Sequence, residues 1–179
     1  MTDALNLNIS IEEGRFELLS DVFPIGRYLT DLTTDIGDEA RLSQVELDLS
    51  NIDSVAEAIV DVEIISMILD AIVSYSLYLS APGGRITLGC YQQGGTIEVT
   101  IEEEGGDQRV DERVRLIMAW ANAAIPDAAE LGVMLTFGRL AVEAHGGRIW
   151  LTGDRSKTRW TITLPSRGDH TMEPTLIAQ

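Results

Sequence analysis

The chain has 179 residues, with 29 Asp and Glu against 13 Lys and Arg and a formal charge of −16. That balance argues against nucleic-acid binding, which needs clustered Lys and Arg against phosphate, and against docking on an anionic membrane surface. At 45% hydrophobic and 23% charged residues, the composition is that of a folded domain rather than a disordered segment, and a chain of this length buries roughly 70% of its unfolded surface in one core.

Cys90 is the single cysteine, so an internal disulfide and a cysteine metal cluster are excluded, and it reads as a small buried strand residue. His145 and His170 are the two histidines, too few for a multi-histidine metal site. No apolar run approaches the ~20 residues of a membrane helix. The N-terminus lacks the basic-then-apolar pattern of a secretory signal. The expectation is a soluble cytoplasmic protein.

In chain order, residues 15–19 alternate weakly and are predicted as a first strand, with Phe16 and Leu18 on one face. Pro24 suits the first turn of a helix. Ile25, Tyr28, Leu29 and Leu32 continue it at helical spacing to about Ile36, and Gly37 is the expected stop. Val45, Leu47 and Leu49 alternate with Glu46, Asp48 and Ser50 as a half-buried strand. A short apolar run follows at 58–60. Asp61 is placed to cap the next helix by accepting from free backbone N–H groups. From Val62 to about Ser80 the apolar residues run nearly all round, the mark of a helix buried on most faces.

Pro82-Gly83-Gly84 ends that helix. Ile86, Leu88 and Cys90, a turn at Gly94-Gly95, then Ile97, Val99 and Ile101 predict a hairpin. Val114, Ile117, Met118 and Ala121 predict a short helix to about Ala124. Pro126 begins a connector. Residues 131–144 form a long helix stopped by Gly146-Gly147. Residues 148–152 and 158–164 predict a last hairpin through Gly153 and Asp154. The expected architecture is an α+β two-layer sandwich, a mixed and mostly antiparallel sheet with the helices on one face. Its parts are an N-terminal extension (1–10), one domain (11–165) and a flexible C-terminal tail (166–179).

Residues 131–165, LGVMLTFGRLAVEAHGGRIWLTGDRSKTRWTITLP, closely resemble the C-terminal part of the ATP-binding domain of bacterial sensor histidine kinases. The superfamily (GHKL, with the Bergerat ATPase fold) also holds gyrase, the Hsp90 chaperones, MutL and the anti-sigma kinases. The stretch Val142-Glu143-Ala144-His145-Gly146-Gly147-Arg148-Ile149-Trp150 is its most specific piece. Residues 60–88 resemble the segment holding the first nucleotide motif, and residues 11–29 the opening strand and helix.

The resemblance implies three motif sites. In the family the long helix offers an Asn that holds Mg²⁺, often a second Asn one turn earlier, and a Lys or His three residues later. The matching positions are Tyr75, Ala71 and Tyr78. Mg²⁺ wants hard oxygens. Ala71 has none, and Tyr75 has a neutral phenol. Asp70 and Ser74, one residue away, are expected to point elsewhere.

The second motif, Asp-x-Gly-x-Gly, reads Glu103, Gly105 and Asp107. Glu103 keeps the charge of the adenine-binding Asp but carries it ~1.5 Å further out. Asp107 replaces a glycine whose backbone approaches the ligand. The third motif, Gly-x-Gly-x-Gly at a helix start, reads Glu130, Gly132 and Met134, where glycines would let backbone N–H groups cradle phosphate. The nucleotide-pocket positions are thus Tyr75, Glu103, Gly105 and Gly132. Each lost polar partner costs ~1–3 kcal/mol, and every 1.4 kcal/mol is about tenfold in affinity. The run Glu102-Glu103-Glu104 either repels a triphosphate or is a solvated strand end.

Ala71, Tyr75 and Tyr78 share one helix face. Either the two tyrosines fill a shrunken pocket or they pack in the core. His145 is expected to be structural and His170 lies in the tail. Residues 1–15 are too short for the phospho-acceptor hairpin and hold no His. This points to a monomer that is a fragment or truncated relative of a larger kinase.

The expectation from these substitutions is a non-catalytic, pseudokinase-like signalling module without cofactor. Its partner would be a response regulator or a sensor-kinase helical hairpin. The alternative is an ATP- and Mg²⁺-binding catalytic domain that passes the γ-phosphoryl to a His on a separate element. A nucleotide sensor without transfer is the third reading.

Overall fold

The computed structural model describes residues 18–80, 82–105, 109–122 and 129–167, with side chains omitted at 119 and 121–136. Its strands are β1 (Ser20–Phe23), β2 (Glu46–Ile52), β3 (Ala58–Asp61), β4 (Arg85–Gln93), β5 (Thr96–Glu104), β6 (Arg148–Gly153) and β7 (Lys157–Pro165). Its helices are α1 (Ile25–Asp35), α2 (Gly37–Leu42), α3 (Val62–Leu79), α4 (Val110–Asn122) and α5 (Ala129–Ala144).

Period-two alternation builds the main sheet. It has five strands in the order β2-β4-β5-β7-β6, with β2 parallel to β4 and the other pairs antiparallel. Ile86, Leu88 and Cys90 on β4, Ile97, Val99 and Ile101 on β5, Ile149 and Leu151 on β6, and Trp160, Ile162 and Leu164 on β7 are all buried. They form the face on which the helices pack. On the other face Arg85, Tyr91, Arg148, Trp150 and Arg159 are exposed, while Thr100 and Thr161 near the middle of the sheet are buried. The fold is therefore the expected α+β sandwich with helices on one face.

β1 and β3 stand apart as a two-stranded antiparallel sheet, from Ser20 opposite Asp61 to Phe23 opposite Ala58. The first strand thus begins later than predicted, and residues 15–17 lie outside the described part. Gly37 does not stop a helix. Ile36 closes α1, and Gly37 opens the short α2. The chain makes a corner there without the left-handed residue that a glycine stop supplies.

α3 carries the core. Its buried residues include Ile64, Ile65, Ile68, Leu69, Ile72, Val73, Leu77 and Leu79. By length and composition it is apolar enough to cross a membrane, contrary to the sequence expectation, but half of it is buried inside the fold. Asp61 caps it as predicted, its carboxylate accepting from the Ile64 N–H at 3.2 Å. The other oxygen of Asp61 accepts from the Leu19 N–H at 3.1 Å, which ties the entry to β1 to the same residue.

Gly146 ends α5 with φ +74°. At Gly147 a Cβ would overlap the Thr163 carbonyl, so the turn from α5 into β6 runs tight against β7. After β7, Ser166 pairs with Ala58 and Arg167 bridges to Glu57 at 2.8 Å, both still attached to the fold.

Cys90 is fully buried, and burial pushes its thiol from 9.0 up to about 12. The unfolded chain therefore releases this proton first as pH rises, and stability falls between about pH 9 and 12. Urea melts across that range are expected to show a decline that Cys90→Ala reduces. In the native protein, Ellman's reagent should label Cys90 only as fast as the fold opens.

Candidate functional site

Three elements meet where the resemblance places a nucleotide: the C-terminal half of α3, the end of β5 and the start of α4. Tyr75 and Tyr78 lie on α3 with ring centroids 5.6 Å apart. Tyr75 packs against the core, and burial pushes its phenol above its ordinary value, so it stays neutral. Tyr78 is 49% exposed, so it does not pack in the core. The Arg109 guanidinium sits 3.9 Å from its ring centroid instead, a cation–π contact that closes the face from the α4 side. Asp70 points away from this pair, as expected, and accepts a hydrogen bond from the Tyr28 hydroxyl on α1.

The three glutamates at the end of β5 do not act as a block, because successive strand residues face opposite sides. Glu102 lies on the outer face, 3.5 Å from Arg159 and 4.0 Å from Lys157. Glu104 is solvated. Glu103 continues the inward row of Ile97, Val99 and Ile101 and is fully buried.

Glu103 is paired with Arg113 of α4, which is also fully buried. Arg113 Nη2 donates to Oε1 at 2.5 Å and Nε donates to Oε2 at 2.9 Å. This is the two-pronged arginine–carboxylate geometry, strong and directional. Nη2 also donates to the carbonyl of Leu79 at 2.9 Å, satisfying one of the unpaired carbonyls at the end of α3. Thr158, opposite Glu103 on β7, places its hydroxyl 3.4 Å from Oε2.

This pair explains Gly105. A Cβ there would fall inside the Arg113 guanidinium and 2.5 Å from Glu103 Oε1. The glycine makes room for the ion pair, and no ligand is needed to account for it. Asp107 lies outside the described residues. Gly132 lies in the first turn of α5, and the side chains of Glu130 and Met134 lie outside the described part. The structure thus brings Tyr75, Glu103 and Gly105 to one region and gives Gly132 a helical backbone.

Sequence reasoning missed Arg113, although the signal was present. The stripe predicted for α4 was Val114, Ile117, Met118 and Ala121, but Met118 is 60% exposed. The inward row is Arg113, Leu116, Ile117 and Trp120, at i, i+3, i+4 and i+7. Trp120 meets Trp160 of β7 edge-on, with centroids 4.9 Å apart. Arg113 is thus a cation on an apolar stripe, facing an anion on an apolar strand row.

An open depression of about 620 Å³ lies nearby, lined by Arg109, Val110, Asp111, Glu112, Arg155 and Ser156. Neither Tyr75 nor Glu103 lines it. Among the described residues no group of three or more His, Cys, Asp or Glu is placed to hold a metal.

His145 is a strut. Its Nε2 accepts from the Asp61 N–H at 2.9 Å, which puts the ring proton on Nδ1, 2.6 Å from the Ala141 carbonyl. Both ring nitrogens are engaged, and the imidazole joins the end of α5 to the start of α3.

These elements and their order recur in known structures. The chain superposes on the Acinetobacter baumannii histidine kinase AdeS with a TM-score of 0.65 at 17% identity, covering 93% of this chain and 77% of that one. It superposes on the catalytic domain of the histidine kinase ThkA with a TM-score of 0.65 at 14% identity, covering 84% and 96%. Full-length ShkA in complex with AMPPNP gives 0.66 at 15% identity, and the match there covers 92% of this chain but 35% of ShkA. The fold is that of a histidine-kinase ATP-binding domain. By sequence the chain matches no family model and no curated protein. Within this kinase-like fold the motif positions carry the residues described above, so the likeness fixes architecture and leaves chemistry to the side chains.

Two outcomes follow for stability. Arg113→Ala leaves a buried carboxylate without its cation and should cost about 3–5 kcal/mol in urea unfolding, whereas the double variant Glu103→Met/Arg113→Met should fall close to the parent or above it. His145→Ala strands the buried Asp61 N–H and should cost about 1–3 kcal/mol in the same assay.

Proposed function

We propose that this chain is a nucleotide-independent signalling module built on the histidine-kinase ATP-binding fold. It works in the cytoplasm, in a two-component-type pathway, by contact with other proteins. The observation that carries this reading is the α3 face. Where the resemblance implies oxygen ligands for Mg²⁺, Ala71 has none, and Tyr75 and Tyr78 lie in a tilted ring contact with Arg109 over the Tyr78 ring. A neutral phenol is a poor magnesium ligand, because Mg²⁺ holds hard oxygens at short range and gives up its waters reluctantly.

The residues present therefore do not fit Mg-ATP. Glu103 matches the adenine-binding position, but both of its carboxylate oxygens already accept from Arg113. The partners this reading favours are a response regulator or a sensor-kinase helical hairpin. The charge of −16 would steer a basic or mixed surface toward the module and raise association rate more than affinity.

Titration calorimetry of the full chain with ATP, with and without Mg²⁺, should give no saturable heat. Micromolar binding that requires Mg²⁺ would instead support the catalytic reading, with γ-phosphoryl transfer to a His on a separate element. Tyr75→Asn, Glu103→Asp and Met134→Gly combined test the same positions by gain of binding.

A further inference from the structure

We infer that Glu103, the Leu79 carbonyl and Thr158 form a guanidinium-binding cage, and that Arg113 is its tethered occupant. The inference deepens the nucleotide-independent reading and rests on it, because a bound base would compete for the same carboxylate.

The chemistry of the cage selects its ligand. Glu103 offers two acceptor oxygens side by side, and the Leu79 carbonyl adds a third acceptor within reach of the same Nη2. All of these residues, and Thr158, are fully buried. A guanidinium presents only donors, in a planar fork that matches a carboxylate. The pairing edge of adenine presents a single donor group, its amino nitrogen, so it would leave acceptors unpaired that Arg113 satisfies together. A flat, cationic, all-donor group fills these acceptors at once, and a neutral base does not. Gly105 belongs to the cage as well, since any side chain there would occupy the guanidinium's place.

The placement of Arg113 also has a mechanical result. One side chain of α4 holds the end of β5 and the last carbonyl of α3 at once. The start of α4, where Arg109 covers Tyr78, is thereby fixed over the α3 face. The cage excludes nucleobase and locks the helix with the same bonds.

Chemical rescue tests this on the full chain. Arg113→Ala empties the cage, and millimolar methylguanidinium is the probe, with methylammonium at equal ionic strength as control. The expected result is a saturable rise in the melting temperature of Arg113→Ala with methylguanidinium alone. The parent protein and Glu103→Gln/Arg113→Ala should show no rise. If Arg113→Ala does not fold unaided, the readout becomes recovery of native circular dichroism on adding the probe.

Arg113→Lys keeps the charge without the fork. It should fold with a lowered melting temperature and gain nothing from methylguanidinium. Absence of rescue, equal rescue by methylammonium, rescue by adenosine, or an Arg113→Lys variant as stable as the parent would each overturn the assignment. ATP binding by the unmutated chain is a separate result. It would remove the nucleotide-independent reading, whereas failed rescue beside a silent ATP titration removes only the cage.

Discussion

A carboxylate on the inward side of a central strand cannot be left alone. Glu103 is placed there by the pleat of β5, in line with Ile97, Val99 and Ile101, and full burial of an isolated charge is too costly to persist. Its cation comes from α4, through Arg113, and the ion pair holds α4 against the end of β5. Trp120 on Trp160 completes the docking with an apolar contact two turns further along. The position of α4 then decides what covers the exposed part of α3, because Arg109 at its start lies on Tyr78. Packing, helix placement and closure of the α3 face thus descend from one strand residue. A buried pair of this kind adds little net stability over an apolar one, but loss of either partner leaves the other charge buried and uncompensated.

A second junction organises the opposite end of α3. Asp61 ends β3, caps α3 with one oxygen, holds Leu19 with the other and donates its own N–H to His145. Four elements, β1, β3, α3 and α5, are joined through one residue and one imidazole. The Ala-His-Gly-Gly sequence that carries the resemblance is explained by this local chemistry. His145 sits directly before the tight exit, where it reaches the Asp61 N–H, and Gly147 must let the chain pass against the Thr163 carbonyl. The most specific piece of the resemblance is therefore accounted for by structural contacts alone.

The elements were legible because their signals are local. Alternation gave the β4–β5 and β6–β7 hairpins, and the all-round apolar run gave α3. Asp61 announced its cap. The failures have equally physical causes. Gly37 was read as a stop from residue type, but the corner there is made within right-handed backbone. The separation of β1 and β3 from the main sheet is a matter of long-range pairing that no local pattern encodes. At the site, Glu103 was read through its motif role instead of its strand parity, so its orientation toward the core was overlooked. Arg113 was missed because a charged residue in a helix is assigned to the surface by default. That default shifted the apparent stripe of α4 by one residue, onto the exposed Met118. Two opposite charges, each out of place in its own pattern, are together a signal that neither gives singly.

The nucleotide motifs of this fold sit at the ends of elements, while its stability sits between them. The inward rows of β4, β5 and β7 and the buried side of α3 make a continuous apolar core that no ligand is needed to complete. Side chains at the element ends can therefore differ without loss of the scaffold. Those positions must still satisfy ordinary rules. A polar group inside needs a partner, and an open face needs cover. The chain meets the first with Arg113 and the second with Tyr75, Tyr78 and Arg109. Each of these partners comes from the chain itself, so the ion pair and the covered face are complete without any other molecule. A site that depended on its ligand for order would carry glycines and unpaired donors at these points. This one carries rings and an ion pair, and it is these side chains, not the shared architecture, that set its chemistry.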